Sequence, residues 1–174
     1  MKEIETKRFL LKKLEKKYLN NIYSILSSSL VIQNLNMKIH KNIQDTEKLL
    51  QEYEEGYQRR EKYPFEILDK NTLEFIGVFL IKLDLYDEDS FEFTIYLDRK
   101  YWNQGIYQEI LPYMKDYAFL EIGTMYFRGF VMEKNIASRR VLEKCGFSLE
   151  KVFSVPGIND SIYDYVIKND HNVK

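Results

Sequence analysis

Trp102-Asn103-Gln104-Gly105-Ile106-Tyr107 places one glycine between an alternating strand and an amphipathic helix. Backbone N–H groups at a helix start lack intrahelical partners, and the helix dipole favours negative charge beside them. Such a loop is a ready anion site, with a pyrophosphate as its natural guest. An ordinary strand-to-helix turn is the simpler alternative for the same residues. A second segment, Glu133 to Phe147, carries Asn135 and Ser138 and closes on Cys145-Gly146-Phe147. Asn135 suits the N-cap of a short helix and Gly146 its stop. Ser138 then lies near the helix start, where it can reach a ligand at the adjoining strand ends or simply face solvent. Glu92 shares a strand face with Thr94 and Tyr96, and a solvated strand glutamate is its plain reading.

These residues need elements to hold them. Phe9-Leu10-Leu11 reads as a first strand, and Leu14 to Leu30 has apolar residues at helical period. A second helix is expected over Asp45 to Arg60, with Asp45 as N-cap and Leu49, Leu50, Tyr53 and Tyr57 on one face. Strands follow at Pro64 to Leu68, Leu73 to Leu83 and Phe91 to Leu97. The last of these alternates, with Phe91, Phe93, Ile95 and Leu97 facing one way. A helix over Gln104 to Leu120, a strand over Met125 to Met132, a short helix over Asn135 to Cys145 and a hairpin of Phe147–Val155 with Ile162–Ile167 complete the chain. A strand meander followed by helix-linked strands implies an α/β (α+β) fold whose central sheet is covered by helices.

The 174 residues fit one domain over 1–174 and suffice for a core without disulfides. Lys and Arg total 26 against 27 Asp and Glu, a net charge of −1, which argues against a nucleic-acid carrier. Cys145 is the only cysteine, so neither an intrachain disulfide nor a cysteine-based metal cluster is expected. The first residues carry no apolar signal region and no run approaches the roughly 20 apolar residues of a membrane span. A cytoplasmic protein without membrane or metal partners is the expectation.

Together the two motif segments resemble the GNAT acyl-CoA N-acyltransferase superfamily, in particular the branch of ribosomal-protein and spermidine N-acetyltransferases. The resemblance rests on Tyr101-Trp102 before the loop, Gly105 within it, Ala118-Phe119 late in the helix, and Asn135, Ser138, Gly146 and Phe147. The opening Glu5-Thr6-Lys7-Arg8-Phe9-Leu10-Leu11 also looks like that branch's first strand. The resemblance implies a mixed, mostly antiparallel sheet flanked by helices. It implies acetyl-CoA as co-substrate and an N-acetyltransferase acting on a primary amine: a protein N-terminus, a polyamine or a small amine. The backbone of Ile95, Tyr96 and Leu97 would pair with the pantetheine arm. Asn103, Gln104, Gly105, Ile106, Tyr107 and Gln108 would hold the pyrophosphate. Asn135 would orient the thioester region, with Ser138 near the sulfur as the acid for the departing thiolate. Dimerisation is common among such folds, but nothing in the sequence sets an interface.

Acetyl transfer to an amine needs a neutral amine, a stabilised oxyanion and a departing thiolate. No cysteine nucleophile or Ser–His–Asp set is evident, so direct attack by the bound amine is the economical route; Cys145 reads as packing. Glu92 matches the position where many superfamily members place a glutamate base, with Asp160 and Asp164 as second candidates. The tyrosine that many members use as acid is replaced here by Leu142, and Tyr96 or Tyr107 could compensate. Tyr107 also replaces the loop's final small residue, which lets backbone approach phosphate closely. A GNAT-like binding or regulatory module that has lost catalysis is therefore the alternative. Tyr23, Tyr57, Tyr63 and Phe153 could wall an acceptor cleft, though core packing is the safer reading for each. His40 reads as a surface histidine, and His171 falls in the terminal tail.

Overall fold

The computed structural model describes residues 1–33, 35, 37–157 and 159–170; His171 lies outside them. Eight strands are β1 (Ile4–Glu5), β2 (Phe9–Lys13), β3 (Lys62–Asp69), β4 (Phe75–Leu83), β5 (Ser90–Leu97), β6 (Tyr126–Met132), β7 (Ser148–Ser154) and β8 (Ser161–Lys168). They follow the sheet order β1-β2-β3-β4-β5-β6-β8-β7. β5 and β6 run parallel, whereas β1–β2, β2–β3, β3–β4, β6–β8 and β7–β8 run antiparallel. This is the mixed, mostly antiparallel sheet flanked by helices that the resemblance implied. The chain divides into two compact units, Met1–Lys82 with Thr94–Ile110, and Leu83–Phe93 with Leu111–Lys174.

In the first unit the helical run from Leu14 is interrupted. A 3-10 turn at Lys16–Tyr18 leads into α1 (Leu19–Leu26), and α2 (Ser29–Ile32) follows only after Ser27-Ser28. The Ser27 hydroxyl donates to the Ser24 carbonyl, a local bond that competes with helix propagation. α3 (Ile43–Gln58) is capped by Asn42 rather than by Asp45. Asn42 Oδ1 accepts from the Asp45 amide at 3.1 Å, and the Asp45 carboxylate accepts from the Asn42 amide at 3.3 Å. Asp45 is thus the third helical residue of a capping box, where an acidic side chain serves the helix as well as a cap would.

Leu26, Leu50, Tyr53, Val78 and Tyr96 lie in one apolar cluster under α1 and α3. The Tyr53 and Tyr96 hydroxyls meet there at 3.4 Å. Burial pushes Tyr53 up to about 12 and Tyr96 well above the usual phenol value, because a phenolate would have to form without water. A group whose folded pKa is raised contributes stability that is full below its unfolded value near 10 and is lost as pH rises through the folded value. Spectrophotometric titration of the native protein should therefore leave at least Tyr53 and Tyr96 largely un-ionised at about pH 11. Ionisation of all the tyrosines at that pH, with the fold intact, would contradict the burial.

The second unit packs an aromatic cluster beneath α5 (Ile136–Lys144). Phe93 lies 4.8 Å from Phe127 and 5.9 Å from Phe147 between ring centroids. Leu142, at the position the resemblance assigns to a tyrosine acid, is fully buried. α4 (Ile106–Tyr117) starts two residues later than the periodicity predicts and widens into a π turn at Ala118–Ile122. Its late start is set by the loop before it.

Candidate functional site

In the first unit, Asp98 opens a 3-10 turn at Arg99–Tyr101 by accepting from the Lys100 amide. Asn103 and Gly105 then both take left-handed backbone, at φ 60° and 71°. A residue with a Cβ rarely adopts that region, so glycine suits position 105 by its dihedral; a Cβ there would make only an ordinary contact with the Arg8 guanidinium, at 3.8 Å. The loop runs straight into the start of α4, whose first amides lack intrahelical partners and suit an anion. Asn103, Gln104, Gly105 and Gln108 are exposed, Ile106 is buried, and Tyr107 is half-buried on the first turn of α4. Ile106 can therefore offer a guest only its backbone. The Gln104 side chain donates to the Lys100 carbonyl at 2.8 Å, folding the loop onto its own turn.

The strand that feeds this loop is fixed from two sides. The Trp102 indole N–H donates to the Leu97 carbonyl at 3.2 Å. On β4, a Cβ at Gly77 would strike the Tyr96 carbonyl and come within 2.8 Å of Leu97 Cα. Only glycine permits so close a backbone approach, and it sets where Tyr96 and Leu97 lie. Tyr96 shares strand parity with Glu92 and Thr94, but its hydroxyl is turned into the core on Tyr53 and does not reach a cleft. Ile95 and Leu97, which alternation puts on the face of Phe91 and Phe93, are only half-buried.

In the second unit, Asn135 is the N-cap of α5, its Oδ1 accepting from the Ser138 amide at 3.2 Å. That use leaves its amide hydrogens available. Asn135 and Ser138 are both half-buried, and the Ser138 hydroxyl makes no hydrogen bond among the described residues. Arg139 ties the helix start to β8: its guanidinium stacks 3.8 Å over the Tyr163 ring and donates to the Tyr165 hydroxyl at 3.3 Å. Glu92 is half-buried and stands opposite Arg128 in the parallel β5–β6 ladder. Arg128 donates to Ser90 Oγ at 3.2 Å and to Asp164 Oδ2 at 3.0 Å, and also to Glu150.

The second candidates for the base are placed differently. Asp164 is fully buried against Arg128, and burial raises its carboxyl despite the neighbouring cation, so it lacks the access a base needs. Asp160 lies 3.8 Å from Lys134. His40 accepts or donates at Thr46 Oγ1, 2.8 Å away. Of the proposed cleft walls, Tyr57 and Tyr63 pack edge to face and Phe153 packs on Phe130 in the other unit. No group of three or more His, Cys, Asp or Glu among the described residues is arranged to hold a metal. No described helix is long and apolar enough to cross a membrane.

Sequence reasoning gave no role to Thr6, Arg8 and Glu109, which the fold brings together at the loop. Glu109 Oε1 accepts from the Thr6 hydroxyl at 2.7 Å and the Arg8 amide at 2.8 Å. Their separation in the chain leaves no local pattern to find; an acidic residue in the first turn of α4 is the single signal.

Residues 8–148 match the family model described as an acetyltransferase (GNAT) domain. The chain is 31% identical over 111 residues to the probable N-acetyltransferase YjcK of Bacillus subtilis (strain 168), covering 63% of this chain and 61% of that protein. The spermidine N-acetyltransferase of Vibrio cholerae, solved in complex with CoA and spermine, superposes with a TM-score of 0.81 at 19% identity, over 92% of this chain and 95% of that one. The ribosomal-protein-S5-alanine acetyltransferase of Vibrio fischeri gives 0.82 at 16% identity, over 98% of each chain. The matched span covers most of the sequence, and the chain belongs to the GNAT acetyltransferase family.

Proposed function

We propose that this GNAT family member is a single-domain cytoplasmic enzyme that moves an acetyl group from acetyl-CoA to a primary amine by direct attack. The observation that carries the reading is the loop of left-handed Asn103 and Gly105 opening onto the start of α4. Its amides suit a pyrophosphate, and its exposed residues leave room for one. Acetyl-CoA, when bound, supplies the thioester carbonyl and the thiol leaving group. Glu92 takes the proton from the amine, directly or through water. Ser138, whose hydroxyl is not committed elsewhere among the described residues, gives a proton to the sulfur, and the Asn135 amide orients the pantetheine. The acceptor class is a polyamine, a protein N-terminus or another small amine. The polyamine and ribosomal-protein enzymes of like fold support it.

Calorimetric titration with acetyl-CoA is the direct test, followed by thiol release with spermidine and with a peptide bearing a free N-terminus. Binding with turnover of either amine is expected, and no binding at millimolar cofactor overturns the reading. Half-buried Tyr107 and core Leu142 favour a second reading, a member that has lost catalysis. If Tyr107→Ala binds CoA while the parent does not, that second reading is the correct one.

A further inference from the structure

A carboxylate in the first turn of a helix competes with any guest for the positive end of that helix. Glu109 occupies this position in α4, yet both of its oxygens are engaged elsewhere. Oε1 takes the Thr6 hydroxyl and the Arg8 amide, and Oε2 takes Arg8 Nε at 2.6 Å. Burial alone would raise this carboxyl, but the hydrogen bonds from Thr6 and Arg8 outweigh it and hold Glu109 below its ordinary value. The same guanidinium donates through its other arm to the Gln104 carbonyl at 3.0 Å. In a trans peptide the C=O and the following N–H point in opposite directions. Anchoring the Gln104 carbonyl on Arg8 therefore turns the Gly105 amide away from Arg8. The anchor is itself rigid: Thr6 is 5% exposed and its hydroxyl oxygen accepts from the Phe9 amide at 3.0 Å.

We propose that Arg8 and Glu109 form a clasp that sets the geometry of the Asn103–Gln108 loop, and that both are positioning residues for the cofactor's phosphates. The inference rests on reading that loop as the cofactor site. The clasp makes two demands that a plain surface ion pair would not: it needs a forked donor, and it needs a carboxylate that accepts on both oxygens.

The test uses Arg8→Ala, Arg8→Lys, Glu109→Gln and the Arg8→Ala/Glu109→Gln double variant in the full chain. Each single variant is expected to raise the KM for acetyl-CoA and the Kd for CoA roughly tenfold, the loss of about one charge-assisted hydrogen bond, with kcat within about twofold. The double variant should lose little more than either single one, since both break one unit. Arg8→Lys should behave like Arg8→Ala, because a lysine cannot hold Glu109 and Gln104 together. Rescue by lysine, additive losses or unchanged KM would overturn the clasp. Amide hydrogen exchange at Gln104–Gln108, measured without cofactor, separates the two readings. Faster exchange in the variants supports the clasp even if the parent binds no CoA, and unchanged exchange overturns it even if the parent binds CoA well.

Discussion

Arg128→Met should cost about 3–5 kcal/mol of stability, lowering the melting temperature by on the order of 10 °C. The magnitude comes from what the substitution leaves behind. Asp164 is fully buried, one of its oxygens has no hydrogen-bond partner, and the other is held by Arg128 at 3.0 Å. Lys151 stands 3.6 Å away but is itself mostly exposed, so it compensates weakly. Without the guanidinium, the buried carboxylate must either stay charged without compensation or take up a proton. Burial already raises the Asp164 carboxyl, and the loss of Arg128 raises it further. A raised folded pKa gives stability that is present below the unfolded value and lost as pH rises through the folded one. The deficit of Arg128→Met should therefore be greatest near neutrality and shrink as pH falls towards about 4. Denaturant unfolding at several pH values checks this. Adding Asp164→Leu should recover most of the loss, because an apolar pair of similar volume needs no counter-charge. A deficit under 1 kcal/mol, or one that does not vary with pH, would show that water reaches Asp164.

The sheet, the helices and both motif segments could be read from the chain, because apolar period and capping residues act over short distances. Asn135 illustrates this: its role as the cap of α5 followed from its place before a helical run that ends at Gly146. Misreadings arose wherever the deciding partner was far away. Tyr96 has the strand parity of Glu92, but its burial depends on Tyr53, 43 residues earlier. The clasp joins Arg8 to Glu109 across 101 residues, and Arg128 finds Asp164 across 36. Short-range competition was missed for a different reason. The break at Ser27-Ser28 turns on a hydroxyl choosing a backbone carbonyl, and apolar spacing contains no record of that choice. The loop lies between these cases. Gly105 announced a turn, but a second left-handed residue at Asn103 became evident only from the backbone.

Glu92→Gln should lower kcat/KM for the accepted amine by roughly 10²–10⁴ while leaving CoA affinity unchanged, if Glu92 is the base. Glutamine keeps the volume and one acceptor oxygen of the half-buried side chain, so the fold should stay intact. Arg128, opposite it in the β5–β6 ladder, keeps Asp164 and Glu150 as partners. The pH profile distinguishes a base from a residue that merely binds the amine. A base is needed because an amine is mostly protonated at neutral pH, and the need fades as pH approaches the amine's own pKa. The variant's rate should climb with pH by up to about tenfold per unit, narrowing the gap with the parent above about pH 9. A residue that only attracts the cationic amine would instead raise KM for the amine and leave kcat near the parent's at saturating amine. Steady-state rates of thiol release across that pH range, with both substrates varied, separate the two outcomes. If kcat is retained, the base must be sought elsewhere. Asp164 is too deeply buried to replace Glu92, which leaves Asp160, or water held by backbone groups near the start of α5, as the proton's first acceptor.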